Sequence, residues 1–231
     1  MVGDEPVDTV NYTVKQYAES AIAIENSKAE ADRDNNLIYL LESILWYGGH
    51  SQIQFDKNTD LLASADLTGS DPSVIVDSNY LSAEGALPAP ETIFDQSGFD
   101  DLKVTGASLV LESETTLRLF LSNVNGVDLN DYSFAVFKGD VPLNSDRYEV
   151  VTEGNGAPYI AIKNIAAAEL DESFKLTITK TAASQTNTVQ YAPLNYAKAV
   201  LDHSDAYTVN HVNVVKALCM YNVRANSYFN R

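Results

Sequence analysis

The sequence predicts an α+β protein, an antiparallel immunoglobulin-like β-sandwich flanked by two repeated helix pairs, and three observations carry that prediction. The stretch Asn36 to Asp56 returns in weaker form at Val212 to Asn230, with Leu40 meeting Val214, Leu41 Val215, Ile44 Leu218, Tyr47 Tyr221, Gln52 Asn226 and Phe55 Phe229. Its apolar residues recur at three- and four-residue steps, which puts them on one stripe of an α-helix that must be buried. Between the copies, from Leu102 to Thr181, the period switches to two. These observations divide the chain into a first helix pair over 1–65, a connector over 66–100, a sandwich over 101–181 and a second helix pair over 182–231, packed as one unit.

In chain order, Val7 to Tyr12 is short and β-prone. Thr13-Val-Lys-Gln16 then has the form in which a hydroxyl and an amide satisfy each other's first-turn donors, so a helix is predicted from Val14 to Asn26, burying Val14, Tyr17, Ala18, Ala21 and Ile22. Val189-Gln-Tyr191 and Tyr196 to Leu201 echo Val10-Asn-Tyr12 and Tyr17 to Ile22, with Pro193 suited to a first helical turn, so the repeated unit is a pair of helices. Asp56 to Gly98 is rich in Asp, Ser, Thr, Gly and Pro and reads as a connector, with Ser73 to Asp77 its one strand-like run. LKVTGASLVLES, TTLRLFLSN, YSFAVFKGD, RYEVVTEG, PYIAIKNI and SFKLTITKT then follow as strand-like runs between turn residues, the pattern of an antiparallel sandwich. Leu109, Leu111, Leu117, Leu119 and Leu121 face one way, and Val110, Arg118 and Phe120 the other.

Composition narrows the function classes. A formal net charge of −17 repels a phosphate backbone, so nucleic acid and anionic membranes are unsuited as partners. The single Cys219 excludes a disulfide framework and a zinc knuckle and reads as a small core hydrophobe. No run approaches the roughly 20 apolar residues of a membrane span. Met1 to Pro6 has no export signal, so an exported form would be a mature fragment.

Leu40-Leu-x-x-x-Leu-x-Tyr-Gly48, continuing to Gln52, Phe55 and Asn58-Thr-Asp60-Leu-Leu-Ala63, resembles a helix found repeatedly in large secreted modular proteins of anaerobic Gram-positive bacteria. The strands from Gly106 to Leu121 and the segment Tyr191 to Leu201 resemble the β-module and first helix that accompany it there. The resemblance implies an extracellular or cell-surface accessory module and supplies no catalytic residue. The second copy departs from the motif, with Asn222 in place of Gly48 and Asn226 in place of Gln52.

Several patterns mimic chemistry. Gly49-His-Ser-Gln-Ile53 lacks the closing glycine of a nucleophile elbow and falls in a helix. Asp56, Asn58 and Asp60 start like a calcium loop, but Leu61 and Leu67 stand where its glycine and glutamate belong. His50, His203 and His211 lack metal-ligand spacing and read as surface or capping residues. Glu112 and Glu114, and the cluster Glu169, Asp171 and Glu172, suggest the paired carboxylates of a glycosidase, yet read more simply as solvated turn acids. Asn11-Tyr-Thr13 fits a glycosylation sequon, though Thr13 serves better as a helix cap.

Aromatics remain the functional lead, because sugar rings lay C–H faces on exposed aromatic rings. Tyr17, Tyr47, Tyr196 and Tyr221 recur at repeat positions and read as core, leaving Trp46, Tyr80, Tyr132, Tyr148 and Tyr159 as candidate ligand-binding residues. The function expected is therefore a non-catalytic extracellular module that binds plant or cell-wall polysaccharide without cofactor or metal. The alternative is a structural spacer or adhesion module whose partners are neighbouring modules.

Overall fold

In the computed structural model residues 13–57, 90–111, 114–123, 127–152 and 157–229 are described. The strand-like runs Val7 to Tyr12 and Ser73 to Asp77, the Asn58 and Asp60 loop, the Asn11 side of the sequon, Glu112 and the candidate Tyr80 lie outside them.

Helix α1 (Val14–Ser27) starts at the capping box read from sequence: Gln16 N donates to Thr13 Oγ1 at 3.1 Å, and Thr13 N to Gln16 Oε1 at 3.0 Å. Helix α2 (Asn35–Gln54) starts at Asp34, whose Oδ1 accepts from Leu37 N at 3.1 Å. The nine strands among the described residues are β1 (Ile93–Asp95), β2 (Leu102–Val110), β3 (Thr116–Asn123), β4 (Tyr132–Lys138), β5 (Val141–Pro142), β6 (Tyr148–Val151), β7 (Tyr159–Ile162), β8 (Phe174–Lys180) and β9 (Gln185–Tyr191). Helices α3 (Pro193–Asp202) and α4 (Val209–Phe229) follow.

All strand pairs are antiparallel, in one sheet of order β1-β9-β8-β4-β5 and one of order β2-β3-β7-β6. Register explains the core. Leu109 opposes Leu117, Ala107 opposes Leu119, and Leu119 opposes Ile160 in the four-stranded sheet; Val136 opposes Leu176 and Leu176 opposes Val189 in the other. Side chains from both sheets meet in a single buried cluster, which also takes Val214 and Leu218 from α4. The architecture is α+β, with two antiparallel sheets and four α-helices among the described residues.

The β-region is wider than the sequence boundaries. β1 comes from the segment read as connector, and β9 from the segment assigned to the second helix pair. Period two was masked in β9 because its core-facing row includes Asn187, which opposes Ile178 and is 0% exposed. Asn187 Oδ1 accepts from Gly98 N at 2.9 Å and Phe99 N at 3.3 Å, while its Nδ2 donates to Phe99 O at 3.1 Å and Leu102 O at 3.2 Å. One amide thus satisfies the backbone where the chain leaves β1 in one sheet for β2 in the other. Gly98 is required there, since a Cβ would lie 2.2 Å from Thr186 O.

The helices pack as α1 on α2, α2 on α4 and α3 on α4. Tyr47 and Tyr221, equivalent in the repeat, touch each other with ring centroids 6.0 Å apart, and Arg224 lies 4.6 Å from the Tyr39 ring. A second cluster of Leu194, Ala197, Val200, Leu201, Val212, Val215 and Cys219 joins α3 to α4. The burial expected of α1 is corrected: Ala18 is buried, but Val14 and Tyr17 are exposed, Tyr17 at 65%. Among the described residues α2 is the element that packs closely on α1, and one narrow stripe of α1 is covered by it. No helix among the described residues is long and apolar enough to cross a membrane.

Candidate functional site

Among the described residues the candidate aromatics do not form one surface. Trp46 is half-buried on α2. Tyr132 is 7% exposed and packs in the core against Phe99, centroids 5.4 Å apart, so its expected role as a ligand face is corrected. The alternation that brought Tyr132 to a strand start also turned it inward. Tyr148 is half-buried and its hydroxyl donates to Phe134 O at 3.3 Å.

Tyr159 has a different setting. It opposes Phe120 in register, on the face of the four-stranded sheet opposite Leu119 and Ile160, and its ring lies 5.7 Å from Phe120 and 4.9 Å from the Arg118 guanidinium. Among the described residues the buried Arg118 Nε has no hydrogen-bond partner. Among the described residues this half-buried aromatic and cationic patch groups a predicted aromatic with another on an outer face.

A cluster of polar contacts lies instead where the sheets meet α3 and α4. After β7 the chain makes a short turn, Ala167–Glu169, inside Ile165-Ala-Ala-Ala-Glu-Leu-Asp171. Glu169 closes that turn by accepting from Ala166 N at 3.1 Å, and it also accepts from Lys138 Nζ at 2.7 Å and Arg147 Nη2 at 3.2 Å. Burial pushes its carboxyl up, but the Lys138 hydrogen bond, the Ala166 amide and the charges of Lys138 and Arg147 outweigh burial and hold it below the usual carboxylate range. Leu170, 1% exposed, belongs with Leu218 to the buried cluster of the sheets and lines one small space with Pro193, Leu194, Ala197 and Cys219, and Leu194 N donates to Leu170 O at 2.9 Å. Asn222 Nδ2 donates to Ala167 O at 2.7 Å and Asp171 Oδ1 at 3.0 Å, and Asn226 Nδ2 donates to the same Asp171 oxygen at 3.1 Å. Buried Leu170, the Leu194 amide and the two side-chain amides therefore join the turn after β7 to α3 and α4.

Glu169 and Asp171 had read as solvated turn acids, and the structure engages both. The signal that could have found them was the departure of the second repeat copy, because Leu218, Asn222 and Asn226 are spaced four apart and share one helix face.

The other reactive groups are quiet. His50, expected at the surface, is buried in α2, and burial lowers its pKa. Tyr196 Oη and His211 Nε2 lie 3.2 Å apart with Tyr207 stacked on the imidazole. Burial lowers the pKa of His211 and raises that of Tyr196, so both are held neutral at pH 7. Burial pushes the Cys219 thiol up to about 12, far from a nucleophilic thiolate. Among the described residues no three His, Cys, Asp or Glu side chains are grouped as metal ligands would be. No known family, curated protein or solved structure matches this chain.

Proposed function

We propose that this chain is a non-catalytic extracellular or cell-surface module with a structural role, built as an immunoglobulin-like sandwich between two copies of one helix pair and working through contacts with neighbouring modules. The observation that carries this reading is the junction at Leu170, where Asn222 and Asn226 bond the turn after β7 to α4 and the Leu194 amide bonds it to α3. The repeat supports the helix-pair part of the reading. Asp34 caps α2 as Thr208 caps α4, where Oγ1 accepts from His211 N at 3.2 Å. The Gln16 amide acceptor at the start of α1 has its counterpart in Asn195, whose Oδ1 accepts from Ala192 N at 2.7 Å. Affinity electrophoresis on a panel of soluble plant and cell-wall polysaccharides tests the proposal, and unaltered migration throughout is the expected result.

A second reading, polysaccharide binding, is favoured by one observation: Phe120, Tyr159 and the Arg118 guanidinium are grouped on the outer face of the four-stranded sheet. A sugar ring would stack on that aromatic pair. Retardation on any polysaccharide that Tyr159→Ala abolishes would replace the structural reading with this one.

A further inference from the structure

Among the described residues nothing covers one face of α1. Val14, Tyr17 and Ile24 are 68%, 65% and 61% exposed, and with half-buried Ala21 they fall at steps of three, four and three residues, which sets all four on one stripe of the helix. That is the spacing of a two-helix seam. The stripe lies beside the face that buries Ala18 and Glu25, so α1 is apolar over a wider arc than α2 covers. Each charged group of α1 has its opposite beside it: Lys15 Nζ lies 3.9 Å from Glu19 Oε1, and Lys28 Nζ lies 2.6 Å from the Oε1 of buried Glu25. Gln16, Ser20 and Ala23, which border the stripe on the side away from α2, are uncharged, although the whole chain carries −17. The repeat does not impose this stripe. In α3 the counterparts of Val14 and Ala21 are Pro193 and Val200, both buried within the chain, and His203 stands where α1 has Ile24.

We propose that this stripe is where two copies of the chain meet, α1 against α1 and antiparallel about a two-fold axis. Such a contact sets Val14 against Ile24 of the second copy and Tyr17 against its Ala21, then the same pairs in reverse, so each large ring enters the notch left by a small residue. The stripe is its own complement. A parallel arrangement would set Tyr17 on Tyr17 and Ala21 on Ala21, a collision beside a void. No carboxylate of α1 loses water without a cation beside it, and the bordering residues bring no like charges together. One helix of 14 residues, about 21 Å long, makes a contact at the small end of protein interfaces, so the dimer forms reversibly as concentration rises. Because the attraction is apolar and both copies carry −17, added salt strengthens it by screening their repulsion. The contact depends on neither reading of function.

Sedimentation equilibrium of the intact protein tests it from about 10 μM to about 1 mM, the range in which so small a contact dissociates. The average mass should rise from one chain toward two, and further in high salt than in low. Tyr17→Lys should weaken the association about tenfold or more, while the circular dichroism spectrum and the melting of the dilute protein stay unchanged because the ring is exposed. Register is read by mixing Val14→Cys protein with Ile24→Cys protein and adding a short bismaleimide. Crosslinks are expected in the mixture and not with Val14→Cys alone, since positions 14 of the two copies stand about 15 Å apart along the helices; buried Cys219 is spared. A mass of one chain across the whole range overturns the proposal. So does a dimer that survives Tyr17→Lys or dissolves in salt, which places the contact elsewhere, and so does crosslinking of Val14→Cys alone, which makes the helices parallel. A fall in the melting point of dilute Tyr17→Lys protein names an occupant within the chain and overturns it too.

Discussion

Leu170→Ala tests the junction on which the functional reading stands. The substitution removes three carbons from a side chain that is 1% exposed and touches α3 and α4 together. At about 0.8 kcal/mol per buried methylene the transfer loss is about 2.4 kcal/mol. The cavity left behind adds to it, because Pro193 and the two helix backbones limit collapse, and large-to-small changes at such sites cost about 2–5 kcal/mol. The expected loss is therefore about 3–4 kcal/mol. At about 2–4 °C per kcal/mol for a chain of this size, the thermal midpoint should fall by roughly 6–16 °C. Urea denaturation should be followed by far-ultraviolet circular dichroism, which reports every helix and strand, and by the fluorescence of Trp46, the single tryptophan, which reports α2. Because α2 packs on α4 and α4 on the turn at Leu170, both probes should move together to a lower midpoint. A loss under 1 kcal/mol, or a drop in one probe with the other unchanged, would refute the idea that Leu170 ties the helices to the sheets.

Asn187→Ala strands four hydrogen bonds to buried backbone at the sheet crossover and should cost about 3–5 kcal/mol by the same denaturation measurement, with a loss below 1 kcal/mol counting against it. Burial lowers the pKa of His50 and His211 in the fold, so the unfolded chain takes up protons first as pH falls below about 6.5. Their contribution to stability is complete above that value and is lost as pH falls toward the folded pKa values; melting scanned from pH 8 to 5.5 should show the decline, and His50→Gln should flatten it. Tyr159→Ala removes an aromatic pair and a cation–π contact and should cost about 1–2 kcal/mol, read by thermal melting. Native Cys219 should resist a thiol reagent at pH 8 and react fully in denaturant; rapid native labelling would contradict its burial.

The strand runs were legible because alternation is a local property. Leu117, Leu119 and Leu121 announce their inward face whatever lies opposite, and all six runs read from sequence became strands. The start of α1 at Thr13 was legible for the same reason, since a capping box involves residues three apart. β9 was missed because Asn187 breaks the apolar row, and its amide is satisfied only by Gly98, Phe99 and Leu102, which are distant in sequence. The aromatics were partly misjudged because a ring's exposure depends on what packs over it: Tyr132 went into the core and Tyr17 out to solvent.

What the amino-acid order determined by itself was period, capping and the recurrence of one helical pattern at both ends, because each rests on neighbours within a turn or a strand of one another. Only the tertiary structure decided that Leu170 is buried against α3 and α4, and that Glu169 and Asp171 are engaged rather than solvated. Those outcomes come from long-range packing, where a side chain's energy is set by the surface it meets and not by the residues beside it in the chain.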